Sequence, residues 1–352
     1  MKRLLDSRLE SLREEMLSKT QSAPDHFTRE TTRGALCVGL CALISVGCKK
    51  VAEPSSTGQS GTVSAASSAS SAPPAPRLSL SAVWGSGAND VWAVGAKGAM
   101  SHYDGKAWAK VTGPTTKNLS AVGGSGPADV WAAGDEGTTL HYDGTSWKVV
   151  AEDKDETLLG MWVDNKNDVW ISGIADDVSV IRHFDGKKWD DAPVTGATSL
   201  WETWGSNATD VWMVGTDHKA QGFVLQGNGK HFERLPFDGG SLRAIWGTGP
   251  NEVWVGTYNG EIWQYDGKTK KWTESPTSPK EKLLGMWGAS ATDVWAVGLN
   301  GGAFHFDGQA WTKRPTRTSE AIWALWGSAS SDVWLVGTGG TLLHWNGQAF
   351  TR

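Results

Sequence analysis

Five of the eight histidines in this chain of 352 residues, His102, His141, His183, His305 and His344, stand at one place of a repeated unit, and Gln226 and Gln264 fill that place twice more. Imidazoles in such number could ligate a metal or move protons. Two sets of carboxylates recur with them. Asp104, Asp143, Asp185, Asp266 and Asp307 each precede a glycine, and Asp90 and its copies each precede Val-Trp. Hydrolysis by acid and base would need two such carboxyl groups within about 5 to 10 Å. Cysteine chemistry is confined to the N-terminus, since Cys37, Cys41 and Cys48 all lie in the first fifty residues. The repeat region therefore holds no disulfide, thiolate metal site or cysteine nucleophile. It also has no phosphate loop, HExxH or GxSxG.

Whether these groups can converge depends on the elements that carry them. Asp-Val-Trp-Ala-Val-Gly occurs at 90–95 and again at 293–298, with near-copies at 129, 168, 210, 252 (EVWVG) and 332. The first unit, residues 80–111, is cut by turn formers into four short segments, predicting strand a at 80–85, b at 91–95, c at 100–103 and d at 107–111. Four short strands in a unit of about 40 residues make a propeller blade. The expected fold is all-β, a seven-bladed propeller over 78–352, with blades near 78–117, 118–156, 157–197, 198–239, 240–280, 281–319 and 320–352. Composition suits it, with 44 Gly, 22 Trp and 20% charged residues.

Column spacing sharpens the unit. A first aromatic column, Trp84, Gly123, Trp162, Trp204, Trp246, Trp287 and Trp326, precedes the second, Trp92 and its copies, by eight residues in every blade. From the second column to the His/Gln column the spacing is 10 in five blades, 13 in the third and 14 in the fourth, so the b-c connections are expected to carry insertions. A third column follows Asp-Gly or Asn-Gly, and the three together use 18 of the 22 tryptophans. Packing between blades is the expected use of these indoles. The small residues two places before the first column, Ala or Gly in all blades but the fourth, where Glu202 stands, are expected to leave room for a neighbour's indole.

This arrangement answers the chemistry. The histidines lie on strand c, third from the axis, and diverge like spokes, so each is expected to hydrogen-bond within its own blade, with no metal. The Asp-Gly aspartates belong to c-d turns, and Asp90 and its copies are expected to cap a-b turns. Function is expected where copies differ, on the face shared by the b-c and d-a loops. The candidate ligand-binding residues there are Trp201, Glu202, Arg243, Tyr258, Trp323, Asp177 and His218. No catalytic residue, metal or cofactor is expected.

The pattern L-x-x-V-W-G, D-V-W-A-V-G, H-Y-D-G-x-x-W resembles the bacterial Trp-rich propeller repeats related to the photosystem assembly-factor and sialidase-type (Asp-box) families. It is also similar to tectonin repeats. The resemblance covers 78–352 and implies a propeller; tectonin likeness implies a lectin, sialidase likeness a polysaccharide hydrolase. The turn here is the shorter Asp-Gly-x-x-Trp, not the full Asp-box. A sialidase site would also need clustered arginines and an activated tyrosine, which the scattered arginines do not supply.

The N-terminus reads as an address. Residues 34–47 form an uncharged run of 14 behind Arg29 and Arg33, too short to span a bilayer as a relaxed helix and suited to a signal-peptide core. Ser45-Val46-Gly47-Cys48 resembles a bacterial lipoprotein signal, which implies acylation of Cys48 and a place on an envelope membrane. Its Ser45 departs from the usual Leu. Residues 1–47 are thus the expected signal region, with a start codon set too early as one account of its length. Residues 48–77, rich in Ser, Ala and Pro, are the expected tether. Beyond residue 50 there are 24 basic and 32 acidic residues, which makes nucleic acid an unexpected partner. The expected role is that of an envelope-tethered binding or scaffold protein that takes a protein or glycan.

Overall fold

A computed structural model describes residues 78–352, apart from Asp177, Pro193 and Thr195. The expected signal region, tether and lipid site Cys48 lie outside the described residues, as does the candidate Asp177. Among the described residues the chain forms seven four-stranded antiparallel sheets, each built from consecutive strands in the order a-b-c-d. In blade 1 these are Leu80–Gly87, Asp90–Gly95, Met100–Tyr103 and Trp108–Val111. Each strand a contacts the strand a of the next blade, and that of blade 7 contacts that of blade 1, so the sheets close a ring around their first strands.

The tryptophan columns build the ring in two different ways. First-column indoles lie over a glycine of the following blade: a Cβ on Gly85 would meet the Trp326 ring at 2.6 Å, one on Gly124 the Trp84 ring at 2.7 Å, one on Gly205 the Trp162 ring at 2.7 Å, and one on Gly247 the Trp204 ring at 2.8 Å. Gly288 and Gly327 face Trp246 and Trp287 in the same way. The room for the indole therefore comes from the glycine directly after the first column, not from the small residue two places before it. That earlier residue admits backbone instead. A Cβ on Gly160 would stand 2.7 Å from the Thr203 nitrogen of the next blade. The interface between blades 2 and 3 departs from the rule on both sides, because Gly123 replaces the tryptophan and Val163 replaces its glycine, with the valine methyl 3.5 Å from where a Cβ on Gly123 would be.

Second-column indoles are almost fully buried. Trp92 packs against Tyr142 and edge-on against Trp147 of blade 2, and Trp334 packs in the same manner on Tyr103 and Trp108 of blade 1. Blade 7 thus meets blade 1 through the contacts used at the other interfaces, and closure rests on side chains rather than on an exchanged strand.

Each histidine of the column does bond within its own blade. Four of the rings stack on the second-column indole, at 4.2 Å for His102 on Trp92 and 3.9 Å for His183 on Trp170, and His305 is tilted by 34° on Trp295. Each Nε2 lies 2.5 to 2.8 Å from the carboxylate that opens strand b, in the pairs His102 with Asp90, His141 with Asp129, His183 with Asp168, His305 with Asp293 and His344 with Asp332. Gln226 and Gln264 donate to Asp210 and Glu252 in the other two blades. The carboxylate also accepts from a hydroxyl on strand a, as from Ser86, Ser125 and Ser206. These aspartates therefore tie strands a, b and c together and do not cap the a-b turn. The c-d aspartates behave as expected: Asp104 Oδ1 accepts from the backbone N–H of Lys106 and Ala107, and Gly105 takes φ +86°.

Candidate functional site

One irregularity recurs in all seven blades. The a-b register slips by one residue early in strand a, between Leu80 and Ala82 in blade 1 and at the equivalent place in every other blade. The extra residue of each bulge is Ser81, Ser120, Leu159, Trp201, Arg243, Leu284 or Trp323. A bulge leaves its extra residue outside the alternation of the strand and re-aims it. All but Leu284 are half-exposed, and Ser81, Ser120, Leu159 and Arg243 each stand between two buried neighbours. The backbone thus presents one side chain per blade around the inner ring, and the sequence varies its chemistry from Ser through Leu and Trp to Arg.

Blades 4, 5 and 6 bring some of these groups together. The Arg243 guanidinium carbon lies 3.5 Å from the centroid of the Trp201 ring and 5.2 Å from that of Tyr258. Lys282, which leads into strand a of blade 6, puts its Nζ 4.5 Å from the Tyr258 centroid and 3.3 Å from its hydroxyl oxygen. Lys282 was not among the sequence candidates, because its position has no repeat signal. Only the approach of blade 6 places it there.

Tyr258 is set by backbone. Its N–H donates to the Ser241 carbonyl at 2.8 Å, as Ala96 does to Ser79 in blade 1, which fixes it two residues from Arg243 along the paired strand. EVWVG, one letter shorter than the other copies up to its glycine, carries no deletion. Strand b of blade 5 spans Glu252–Thr257, with Gly256 opposite Ala244 and Thr257 opposite Leu242, where blade 1 pairs Val94 with Ala82 and Gly95 with Leu80.

The insertions of blades 3 and 4 do not form long loops either. They extend the b-c hairpin, to Asp168–Ala175 with Val178–Phe184 in blade 3 and to Asp210–Asp217 with Gly222–Gly227 in blade 4. Antiparallel pairing satisfies the added backbone groups, so extra length becomes strand. His218 is exposed at the tip of the second hairpin, and no hydrogen bond, ion pair or ring contact among the described residues joins it to the Arg243 stack. Trp323, on blade 7, has no such link to the stack.

Glu202 replaces the small residue of the other blades and lies half-buried beside the bulge. Burial pushes its carboxyl up to about 8, with a hydrogen bond from the Thr203 N–H acting the other way. It forms no ion pair with Arg243. Burial also lowers the Arg243 guanidinium to about 10, which still leaves it charged at neutral pH. Its Nε and the Trp201 Nε1 are both buried without a hydrogen-bond partner. A surface cleft of about 520 Å³ lies elsewhere, between blades 1 and 2, lined by Trp92, His102, Pro114, Tyr142 and Trp147. Its rings are those that already join the blades.

No family model matches this chain, and no curated protein does. Solved structures share its fold at low identity. YCF48 bound to D1 peptide is 16% identical, with a TM-score of 0.63, covering 77% of this chain and 94% of the other. A catalytically inactive variant of virginiamycin B lyase from Staphylococcus aureus with quinupristin is 12% identical, TM-score 0.65, covering 77% and 95%. The WD40 propeller domain of Doa1 is 10% identical, TM-score 0.60, covering 79% and 94%. These likenesses show a β-propeller, an architecture that serves binding, scaffolding and catalysis alike.

Proposed function

We propose that this protein is a non-catalytic binding or scaffold propeller of the bacterial cell envelope. It recognises a segment of another protein through the face that carries the b-c and d-a loops, and acylated Cys48 holds it on a membrane. The bulge column carries the reading. Seven blades of one repeat present four kinds of side chain, Ser, Leu, Trp and Arg, at one re-aimed position, and blades 4 to 6 gather there an aromatic and cationic cluster that ring packing does not require. That a neighbour in fold binds a D1 peptide favours a protein segment over a glycan. A photo-crosslinking amino acid at position 258 of the full chain, expressed in the native envelope, tests it. One discrete protein adduct, lost with Trp201→Ala, is the expected result; retention on a glycan array without any adduct would instead support a tectonin-like lectin.

A second reading, hydrolysis of a polysaccharide, has one observation in its favour: a carboxyl raised to about 8 stays protonated at neutral pH, as a general acid must. Turnover on a broad glycoside panel, abolished by Glu202→Gln, would establish it, and a blank panel would remove it.

A further inference from the structure

We infer that Trp201, Arg243, Tyr258 and Lys282 form a subsite for a carboxylate, supplied by an acidic side chain or by the C-terminus of a bound peptide. The inference rests on the peptide-recognition reading above and names the chemical group that surface takes.

The first ground is the state of Arg243. Arg182, a comparably enclosed arginine, is held by Glu156 at 2.7 Å and Asp153 at 3.3 Å. Arg243 has no carboxylate partner among the described residues, only the faces of Trp201 and Tyr258. A cation over an aromatic face gains roughly 0.5 to 2 kcal/mol. Withdrawing an ion from water costs several kcal/mol, so the rings offset only part of it. The Arg243 Nε is buried with no hydrogen bond, as is that of Arg182, so the missing carboxylate is what sets Arg243 apart.

Lys282 is the second ground. It comes from a different blade to the same tyrosine, so two positive charges lie 5.2 and 4.5 Å from one ring centroid. Like charges so placed repel, and an anion touching both relieves the repulsion. The chain's own acids do not serve. Glu261 hydrogen-bonds the Thr257 hydroxyl at 3.2 Å, and Glu281 holds Lys313 at 2.7 and 2.8 Å. Glu202, next to Trp201 in sequence, is protonated at neutral pH.

The shape selects among anions. A guanidinium stacked on an indole keeps its edge free, and that edge matches the two oxygens of a planar carboxylate. Trp201 and Tyr258 each give a face to a cation, which takes away faces that a sugar ring would stack on. A peptide therefore fits better than an acidic glycan.

The test uses the full chain and an array of diverse decapeptides, each made in three forms: with Asp and Glu and an amidated end, with Asn and Gln and a free C-terminal carboxylate, and with Asn and Gln and an amidated end. Peptides that bind are expected to lose about tenfold or more in the third form, and the first two forms identify the source of the carboxylate. Arg243→Met and Lys282→Met should erase that difference while the melting temperature stays put, and Arg243→Lys should keep part of it. Equal binding of all three forms, unchanged by Arg243→Met, would overturn the carboxylate inference and leave peptide recognition standing. Absence of binding by any peptide would remove both. Retention of uronic-acid oligosaccharides in place of peptides, lost with Arg243→Met, would overturn the peptide as occupant.

Discussion

Trp326 of the last blade lies over Gly85 of the first, with its ring 2.6 Å from where a Cβ on that glycine would be. The contact repeats around the ring with one exception, and the exception is informative. Where Gly123 takes the tryptophan's place, Val163 takes the glycine's. Val163, with Met161 beside it, fills part of the room that the missing indole leaves.

Gly85→Val should therefore destabilise the protein by roughly 1–3 kcal/mol, as overpacking does. The double variant with Trp326→Gly should lose less than the sum of the two single losses, because it recreates the pair found between blades 2 and 3. Denaturant unfolding of both single variants and the double closes the cycle. A strictly additive result would show that the two residues do not share one packing site.

Glu202 gives a pH dependence of definite sign. Its folded carboxyl is raised to about 8, above the ordinary value of 4.5, so the folded state holds the proton more tightly. Its contribution to stability is whole below about pH 4.5 and is lost as pH rises toward 8. Glu202→Gln should accordingly leave stability near pH 4 almost unchanged and raise it by on the order of 1–3 kcal/mol at pH 9, discounted for partial exposure. Melting curves at the two pH values check this, and an equal shift at both would point to packing instead of charge.

The strand ties give the opposite sign. Burial alone would raise Asp129, but hydrogen bonds from His141, Ser125 and Trp131 outweigh it and hold the carboxyl below the usual range. Its contribution is present above the unfolded value of 3.8 and disappears as pH falls through the lower folded value. Asp129→Ala should cost about 1–3 kcal/mol at pH 7, since it strands a half-buried imidazole and an indole N–H, and its deficit should shrink below pH 3. Chemical denaturation at pH 7 and pH 2.5 measures both. No loss at pH 7 would mean that the tie contributes nothing to stability.

Acylation of Cys48 is tested apart from the ring. The mature chain should begin at Cys48 with a mass carrying acyl groups and should partition into detergent, and Cys48→Ser should move it to the aqueous phase, because each buried methylene contributes about 0.8 kcal/mol to anchoring. A mature chain beginning elsewhere, without lipid, would refute the anchor.

Blade number, strand order and the divergence of the histidines were all legible in the sequence, because a repeat of this period writes each strand and turn seven times. Periodicity reports what every copy shares. It pointed to the places where copies differ, but only the backbone showed that the residues running from Ser81 to Trp323 are each the extra residue of a bulge. It also named Trp201, Arg243 and Tyr258, yet it grouped with them Glu202, His218 and Trp323, which the ring leaves unlinked to the stack, and missed Lys282, which blade 6 delivers from 24 residues beyond Tyr258. Inserted residues looked like loops because spacing counts residues and is blind to pairing, which turned them into longer hairpins. Local hydrogen bonding and alternation determine a blade, and those are one-dimensional. Which side chains of neighbouring blades converge is set by the angle and register at which whole sheets pack, and that only the closed ring decides.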